Sequence, residues 1–348
     1  MMSSVITTLS TYVPAPVLLT DDGLTERTGE DTAPTAWDPW IASWRADFSA
    51  GGTPLPVDLA HVTTWRDRPL RIPVEQDTDL SGLAARVAQK ISITAAIDVV
   101  MFCHSSLDEH ISTTTAGRLV DVIGKSCFSF SVSQQQNISV FTALRLAQAL
   151  LVAESGARAV LIVAAEKWTR PLSRWATSSQ PQGDAAAALL VERASATRCG
   201  FHVIDVQTSH YPVYYPVAPA GAPQDCLDPN YDRVDVLLQT IDTLLDRHVL
   251  WVGDIAAVFG QAIDPIDQDR ISFHLGIDSQ VLPRIHDAHL GAAEFITRLA
   301  DGIELLALPS HGYILMWEMS SCGYVGCALL DANGAPTLLR DRERSTRC

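Results

Sequence analysis

An α/β fold of alternating strands and helices is predicted for this chain, and three stretches carry that prediction. In the first, Phe128 to Ser133 alternates like a strand, Val140, Leu144, Ala147 and Leu151 recur at helical spacing, and Ala159 to Ala165 is a nearly unbroken apolar run. Such a run suits a parallel strand covered on both faces, and Gly156 is expected just past the helix end. In the second, Gly183 to Glu192 reads as a strand of small and aliphatic residues. In the third, Asp232 to His248 places Leu237, Ile241, Leu244 and Leu245 on one helical face ahead of a strand at Ile255 to Phe259. The turn from Gln134 to Ser139 lies where the carboxyl end of a strand meets a helix N-terminus. Backbone N–H groups point outward there, and open α/β sheets place their ligands there.

Composition narrows the class. The 348 residues are 47% hydrophobic and 19% charged, as in a soluble globular protein large enough for one big domain or two fused halves. A net charge of −15 argues against wholesale nucleic-acid binding. No run is long and apolar enough to span a bilayer, and Met1 to Thr8 lacks the basic flank and apolar core of a signal peptide. Seven scattered cysteines, at 103, 127, 199, 226, 322, 327 and 348, form no Cys-x-x-Cys pair. Neither a disulfide framework nor a metal site is expected, and a reducing cytoplasm is.

Along the chain, Val5 to Val13 reads as the first strand. Residues 14–80 are rich in Pro, Asp, Thr and Trp with weak periodicity, apart from a short helix suggested near Thr35 to Arg45. Ser81 to Lys90 suits a helix and Ile97 to Cys103 a buried strand, followed by a polar loop carrying His104 and His110. Residues 168–182 read as a loop and Tyr211 to Pro229 as a connector. After the helix and strand of the third stretch, Arg270 to Gly276 and Pro283 to Ile285 lead into Asp287-Ala-His289-Leu-Gly-Ala-Ala-Glu294. A helix with Phe295, Leu299, Ile303 and Leu306 on one face follows. Tyr313 to Trp317 is a strand, Ser320 to Leu330 a hairpin, and Arg340 to Cys348 a charged tail.

Several of these segments resemble the β-ketoacyl-acyl-carrier-protein synthase III family of the thiolase-like superfamily. The nucleophile segment of that family runs Phe-Asp-Val-x-x-x-Cys-x-Gly, then a helix, then Ser-Gly and a Val-Leu-Val-Val-x-x-Glu strand. Here the counterpart is Phe130 to Ser139, Ser155-Gly156 and Val160 to Glu166. Gly183-Asp184-Ala-Ala-Ala-Ala is similar to the family's Gly-Asp-Gly-Ala strand, and Ser320 to Leu330 to its glycine-rich active-site hairpin. The resemblance covers about residues 81–330. It implies a five-layered αβαβα fold of two fused pseudo-symmetric halves, 1–195 with the nucleophile turn and 196–348 with His289. It also implies a homodimer, or a heterodimer with a related synthase.

The family's catalytic groups are altered. Counting from Phe130 puts Gln136 in place of the cysteine, whereas counting back from Ser139 puts Asn137 there. Gly260-Gln261-Ala262-Ile263 stands where the family has His-x-Ala-Asn. His289 stands at the Asn of Gly-Asn-Thr-Ser, and His289 with Glu294 resembles a secondary-metabolism branch reading His-Leu-Gly-Ala-x-Asp. An amide cannot form the acyl-enzyme thioester. The first reading is therefore an acyltransferase or condensing-type protein of polyketide or other secondary metabolism that works without a covalent intermediate. Its donor is an acyl-CoA or acyl-carrier-protein phosphopantetheine thioester. In that reading His289 is the general base, Glu294 orients it, Gln136, Asn137 and neighbouring Gln135 polarise the thioester, and Ser139, Cys322 and Gly323 line the site. A second reading is a non-catalytic partner of a cysteine-bearing chain. A malonyl-thioester decarboxylase, or Cys322 or Cys103 as a substitute nucleophile, are further readings. The plainer alternatives are that Gln134 to Asn137 cap a helix, that His289 is a core histidine, and that Glu294 complements a helix dipole.

Overall fold

The computed structural model of the chain describes residues 4–19, 69–106, 108, 113–124, 127–168, 174, 181–195, 197–211, 232–260, 262, 265–276, 286–306, 308, 311–320, 323–332 and 334–340. The readings for Thr35 to Arg45, His110, Tyr211 to Pro229 apart from Tyr211, Gln261, Pro283 to Ile285, Cys322 and the charged tail beyond Arg340 lie outside the described residues.

Twelve strands and six α-helices are described. In chain order they are β1 (Ser4–Tyr12), β2 (Pro16–Leu19), β3 (Leu70–Pro73), α1 (Leu80–Ser92), β4 (Val99–His104), α2 (Thr115–Ile123), β5 (Phe128–Ser133), α3 (Ser139–Ala153), β6 (Ala159–Glu166) and β7 (Ala185–Arg193). There follow β8 (Phe201–His210), α4 (Arg233–Arg247), β9 (Ile255–Phe259), α5 (Pro265–Leu275), α6 (Glu294–Leu305), β10 (Tyr313–Met319), β11 (Tyr324–Asp331) and β12 (Thr337–Arg340). Strands and helices alternate from β3 to β6 and again from β8 to α5.

Hydrogen bonding joins the strands in the order β5-β4-β6-β7-β1-β8-β11-β10-β9, with β12 beside β1 and β2–β3 as a separate pair. β4 pairs in parallel with β5 and β6, and β9 with β10. β7 and β11 run antiparallel to both of their neighbours. The seam between the two groups of strands is short, joining Ser4 to Ile6 with Phe201 to Val203.

Three cores explain the layering. α1 and α2 bury Leu83, Val87, Leu119 and Ile123 against one face of β4, β6 and β7. α4 and α5 bury Leu237, Ile241, Leu244 and Ile271 against β9–β11. Between the sheets, α3 contributes Val140, Phe141, Leu144 and Leu151, and α6 contributes Phe295, Ile296 and Leu299. Phe141 and Phe295 meet edge to face with ring centroids 4.8 Å apart. The result is helix, sheet, helix, sheet, helix: the five-layered α/β arrangement. The stretch Gln136–Ala153 has the length and mean hydropathy (1.2) of a membrane span, but half of it is buried inside the fold. Its apolar character is accounted for by sheets on two sides.

Local chemistry sets the helix ends. Asp79, Thr114 and Asp232 cap α1, α2 and α4 through their side-chain oxygens. α2 closes on Gly124 at φ 69°. Gly156, by contrast, does not cap α3. That helix stops at Ala153, and Glu154 leaves in an extended conformation while its N–H still bonds Leu150 O, so no left-handed residue is required. The sequence reading had no helix at Pro265–Leu275 or Thr115–Ile123 and no strand at β12; all three are present.

Candidate functional site

At the carboxyl ends of β4, β5, β6 and β10, two short 3₁₀ turns, Gln136–Ile138 and Gly291–Ala293, pack against each other. Each opens a long helix of the middle layer. Loops at this end of parallel strands are where α/β folds gather their chemistry.

The first turn is backbone-strained. Gln134 and Gln136 have φ of 69° and 51°, the left-handed region that non-glycine residues avoid by roughly 1–2 kcal/mol each. Ser139 Oγ donates to Gln136 O at 2.7 Å, and Thr142 Oγ1 donates to Gln135 Oε1 at 2.7 Å. Asn137 is buried, and its Nδ2 donates to Glu318 Oε2 (2.9 Å) and to Met319 O (3.1 Å). Asn137 is therefore committed to β10, and half-buried Gln136 is the amide at the apex of the turn.

The second turn begins at His289. Its backbone is clamped on both sides, by His289 N to Pro181 O and by Gly183 N to His289 O, each 2.8 Å. On the ring, Nδ1 accepts from Gly291 N at 2.9 Å, so the neutral imidazole carries its proton on Nε2. Nε2 lies 4.0 Å from Glu318 Oε2. Gly291 must be glycine: its φ is 55°, and a Cβ there would come within 2.5 Å of Glu166 Cγ. Glu294 accepts from Leu290 N (2.8 Å) and from Arg298 Nε (2.7 Å), so its carboxylate closes the helix entry and engages Arg298.

Two buried acids complete the cluster. Glu166 accepts from Ser105 N (2.9 Å), Ser106 N (2.7 Å) and Ala292 N (3.1 Å), pinning the β4 loop and the second turn to the end of β6. Burial raises its carboxyl above the ordinary range, against the pull of those N–H groups. Glu318 is 1% exposed. Its Oε2 is held by Asn137, whereas Oε1 has no hydrogen-bond partner among the described residues. Arg298 Nε stands 3.7 Å from that oxygen, beyond hydrogen-bond reach. Burial raises the Glu318 carboxyl, with nearby Glu294 adding to the shift and His289 and Asn137 opposing it.

Of the residues singled out from sequence, Gln136, Asn137, His289 and Glu294 thus gather around Glu318 or the two turns. Gln135 and Ser139 belong to the same turn and brace it. Gly323, at φ 89°, turns the β10–β11 hairpin, and its carbonyl accepts from Tyr211 N (2.8 Å). Cys322 lies outside the described residues. Cys103 is fully buried, and desolvation drives its thiol far up, which leaves little thiolate. His104 is satisfied locally, with Nδ1 2.9 Å from Ser106 O and the ring stacked on Phe102. At Gly260 a Cβ would lie 2.1 Å from the Trp317 indole, so that ring fills the place of any side chain there. Glu166 closes a motif strand in the sequence but carries no site role there, and Arg298 and above all Glu318 are not singled out by the sequence at all. The signal for Glu318 was one acid in an otherwise apolar strand, Tyr-Ile-Leu-Met-Trp-Glu-Met. Among the described residues no group of His, Cys, Asp or Glu is placed to hold a metal ion.

No family model and no curated protein matches the sequence. Solved structures do match in shape. The 3-oxoacyl-(acyl carrier protein) synthase III FabH of Pseudomonas aeruginosa is 18% identical, with a TM-score of 0.65 over 97% of this chain and 99% of its own. The acyltransferase ChlB3 is 19% identical with a TM-score of 0.68, covering 96% of this chain and 98% of its own. OleA of Xanthomonas campestris is 16% identical with a TM-score of 0.66, covering 95% and 100%. At such identities the likeness speaks for the fold, and it extends over nearly the whole of each chain. The chain has the thiolase-like, ketosynthase III-type fold.

Proposed function

We propose that the chain transfers an acyl group from a thioester without forming a covalent intermediate on its strand-to-helix turn. The observation that carries this reading is the pairing of a strained amide turn at the N-terminus of α3 with an imidazole whose proton sits on Nε2. In this reading a thioester carbonyl bound between the two turns would accept from His289 Nε2–H, with the Gln136 amide as a second donor to the charge its oxygen develops. His289 thus serves as a donor to the carbonyl, and Glu294 supports the turn that carries it. The donor would be an acyl-CoA or an acyl-carrier-protein phosphopantetheine thioester, in a cytoplasmic pathway of polyketide or related secondary metabolism; the acyl carrier protein in the name of the similar FabH supports a thioester donor. The chain would be two fused halves dividing between residues 195 and 196. A homodimer is part of the same reading, supported by β5 at the open end of the sheet with Phe128 67% exposed.

Malonyl decarboxylation fits less well, because Gly260, against the Trp317 indole, stands where the family's catalytic histidine would be. The partner reading has one observation in its favour: Trp317 fills the space a side chain at 260 would need.

Thiol release from a panel of acyl and malonyl thioesters, with and without acceptors, tests the proposal. We expect acceptor-dependent release that falls at least about 100-fold in His289→Ala, the scale of losing one oxyanion donor. Absence of release across the panel, unchanged by that substitution, would favour the non-catalytic partner.

A further inference from the structure

We propose that Glu318 is the proton acceptor of this site, and that the acyl acceptor it serves attacks through a hydroxyl or amino group. The inference rests on the acyl-transfer reading above and deepens it. The chain contains its own comparison. Glu166 and Glu318 are both buried acids at the carboxyl ends of strands of the same fold. Glu166 is used up: both oxygens accept backbone N–H bonds, three in all. That is how a structural buried carboxylate is satisfied. Glu318 is half used. Asn137 holds Oε2 in place, and Oε1 has no partner among the described residues. A buried oxygen left in that state is unfavourable, and among the buried side-chain atoms of the described residues without a partner this is the one that belongs to a carboxylate.

The surrounding charges keep the oxygen available. Among the described residues Arg298 is the cation facing Oε1, with Nε 3.7 Å away, but that Nε is bonded to Glu294, which lies four residues earlier on α6. His289 Nε2 stands 4.0 Å from the other oxygen. The groups facing Glu318 are thus Asn137 from the first turn, His289 from the second, and Glu294 and Arg298 from α6. Among the described residues they leave Oε1 without a hydrogen-bond partner, on the carboxylate beside the imidazole that would bind the thioester carbonyl. Burial, with Glu294, also makes the carboxylate a stronger base than an exposed one.

The step balances without a cofactor. The acceptor oxygen or nitrogen forms a bond to the thioester carbon as its proton passes to Glu318 Oε1. The tetrahedral oxyanion is held by Nε2–H of His289. The C–S bond then breaks, and the proton on Glu318 leaves with the sulfur as free thiol. No electrons change hands beyond these bonds.

The test is Glu318→Gln in the full chain, assayed with an acyl thioester and with hydroxyl and amine acceptors in separate arms. Glutamine keeps the Asn137 contact and cannot take the proton. We expect kcat to fall about 10²- to 10⁴-fold with KM changed only a few-fold, and the acidic limb of the pH–rate profile to disappear. Formate added to Glu318→Ala should restore part of the rate, which a purely structural role would not allow. If Glu318→Gln keeps the wild-type rate and pH limb while His289→Ala abolishes turnover, the assignment of Glu318 fails and acyl transfer stands. If the wild type shows no turnover with any donor, both fall.

Discussion

Gln136 and Glu318 are each held in a state the fold would relieve if it could. Gln136 sits at φ 51°, where glycine is favoured by roughly 1 kcal/mol or more. Gln136→Gly should therefore raise unfolding stability in urea by about 1 kcal/mol and reduce acyl transfer by removing the amide. Glu318 has a carboxyl raised by burial. The folded state then holds a proton that the unfolded chain has already released, so stability is full below the ordinary carboxylate range and declines as pH rises above it. Glu318→Gln should remove that decline. Its melting temperature should exceed the wild type's more at pH 8 than at pH 5, by differential scanning fluorimetry. Glu166, raised in the same direction, leaves part of the slope in place. These residues also mark what was legible in advance. The turn and His289 could be found because a motif surrounds each of them. Glu318 could not, because its meaning comes from Asn137, 181 residues away in sequence, and from an oxygen without a hydrogen-bond partner among the described residues.

At the scale of elements, Glu166 is the bolt between the β4 loop, the end of β6 and the second turn. Glu166→Ala would leave three N–H groups without this acceptor, two of them buried, and a loss of at least about 2 kcal/mol is expected in equilibrium unfolding. Most elements followed from their apolar spacing, since β6 and α3 bury the residues their patterns single out. α5 did not. Pro265 and Asp267 are ordinary helix-start signals, but Ile266 and Phe273 are exposed while Ile271 and Leu275 are buried, which blurs the 3.6-residue period. α2 had Thr114 and Gly124 as punctuation, but with nine residues it was too short for periodicity to stand out. The expected cap at Gly156 failed for the opposite reason: a glycine near a helix end is permitted to be left-handed, and here the chain had already turned out at Glu154.

Across the whole molecule, the seam of β1 with β8 and the middle layer of α3 and α6 bring the two turns face to face. The alternation of strands and helices was legible from the pattern, and the five layers were what the family resemblance implied for it. The juxtaposition of the turns was not, because no local pattern records which helix N-termini meet. β5 ends the strand order with exposed Phe128 beside Phe130, ring centroids 5.6 Å apart. Phe128→Asp should shift the chain from dimer to monomer in analytical ultracentrifugation if that edge pairs with a second copy. The central claim, acyl transfer with no acyl-enzyme, is tested most directly by intact-mass spectrometry of the wild-type chain quenched during steady thiol release. We expect ongoing release from a protein of unmodified mass. An acyl-sized increment that forms and decays at the rate of turnover would contradict the account and place a nucleophile on the chain.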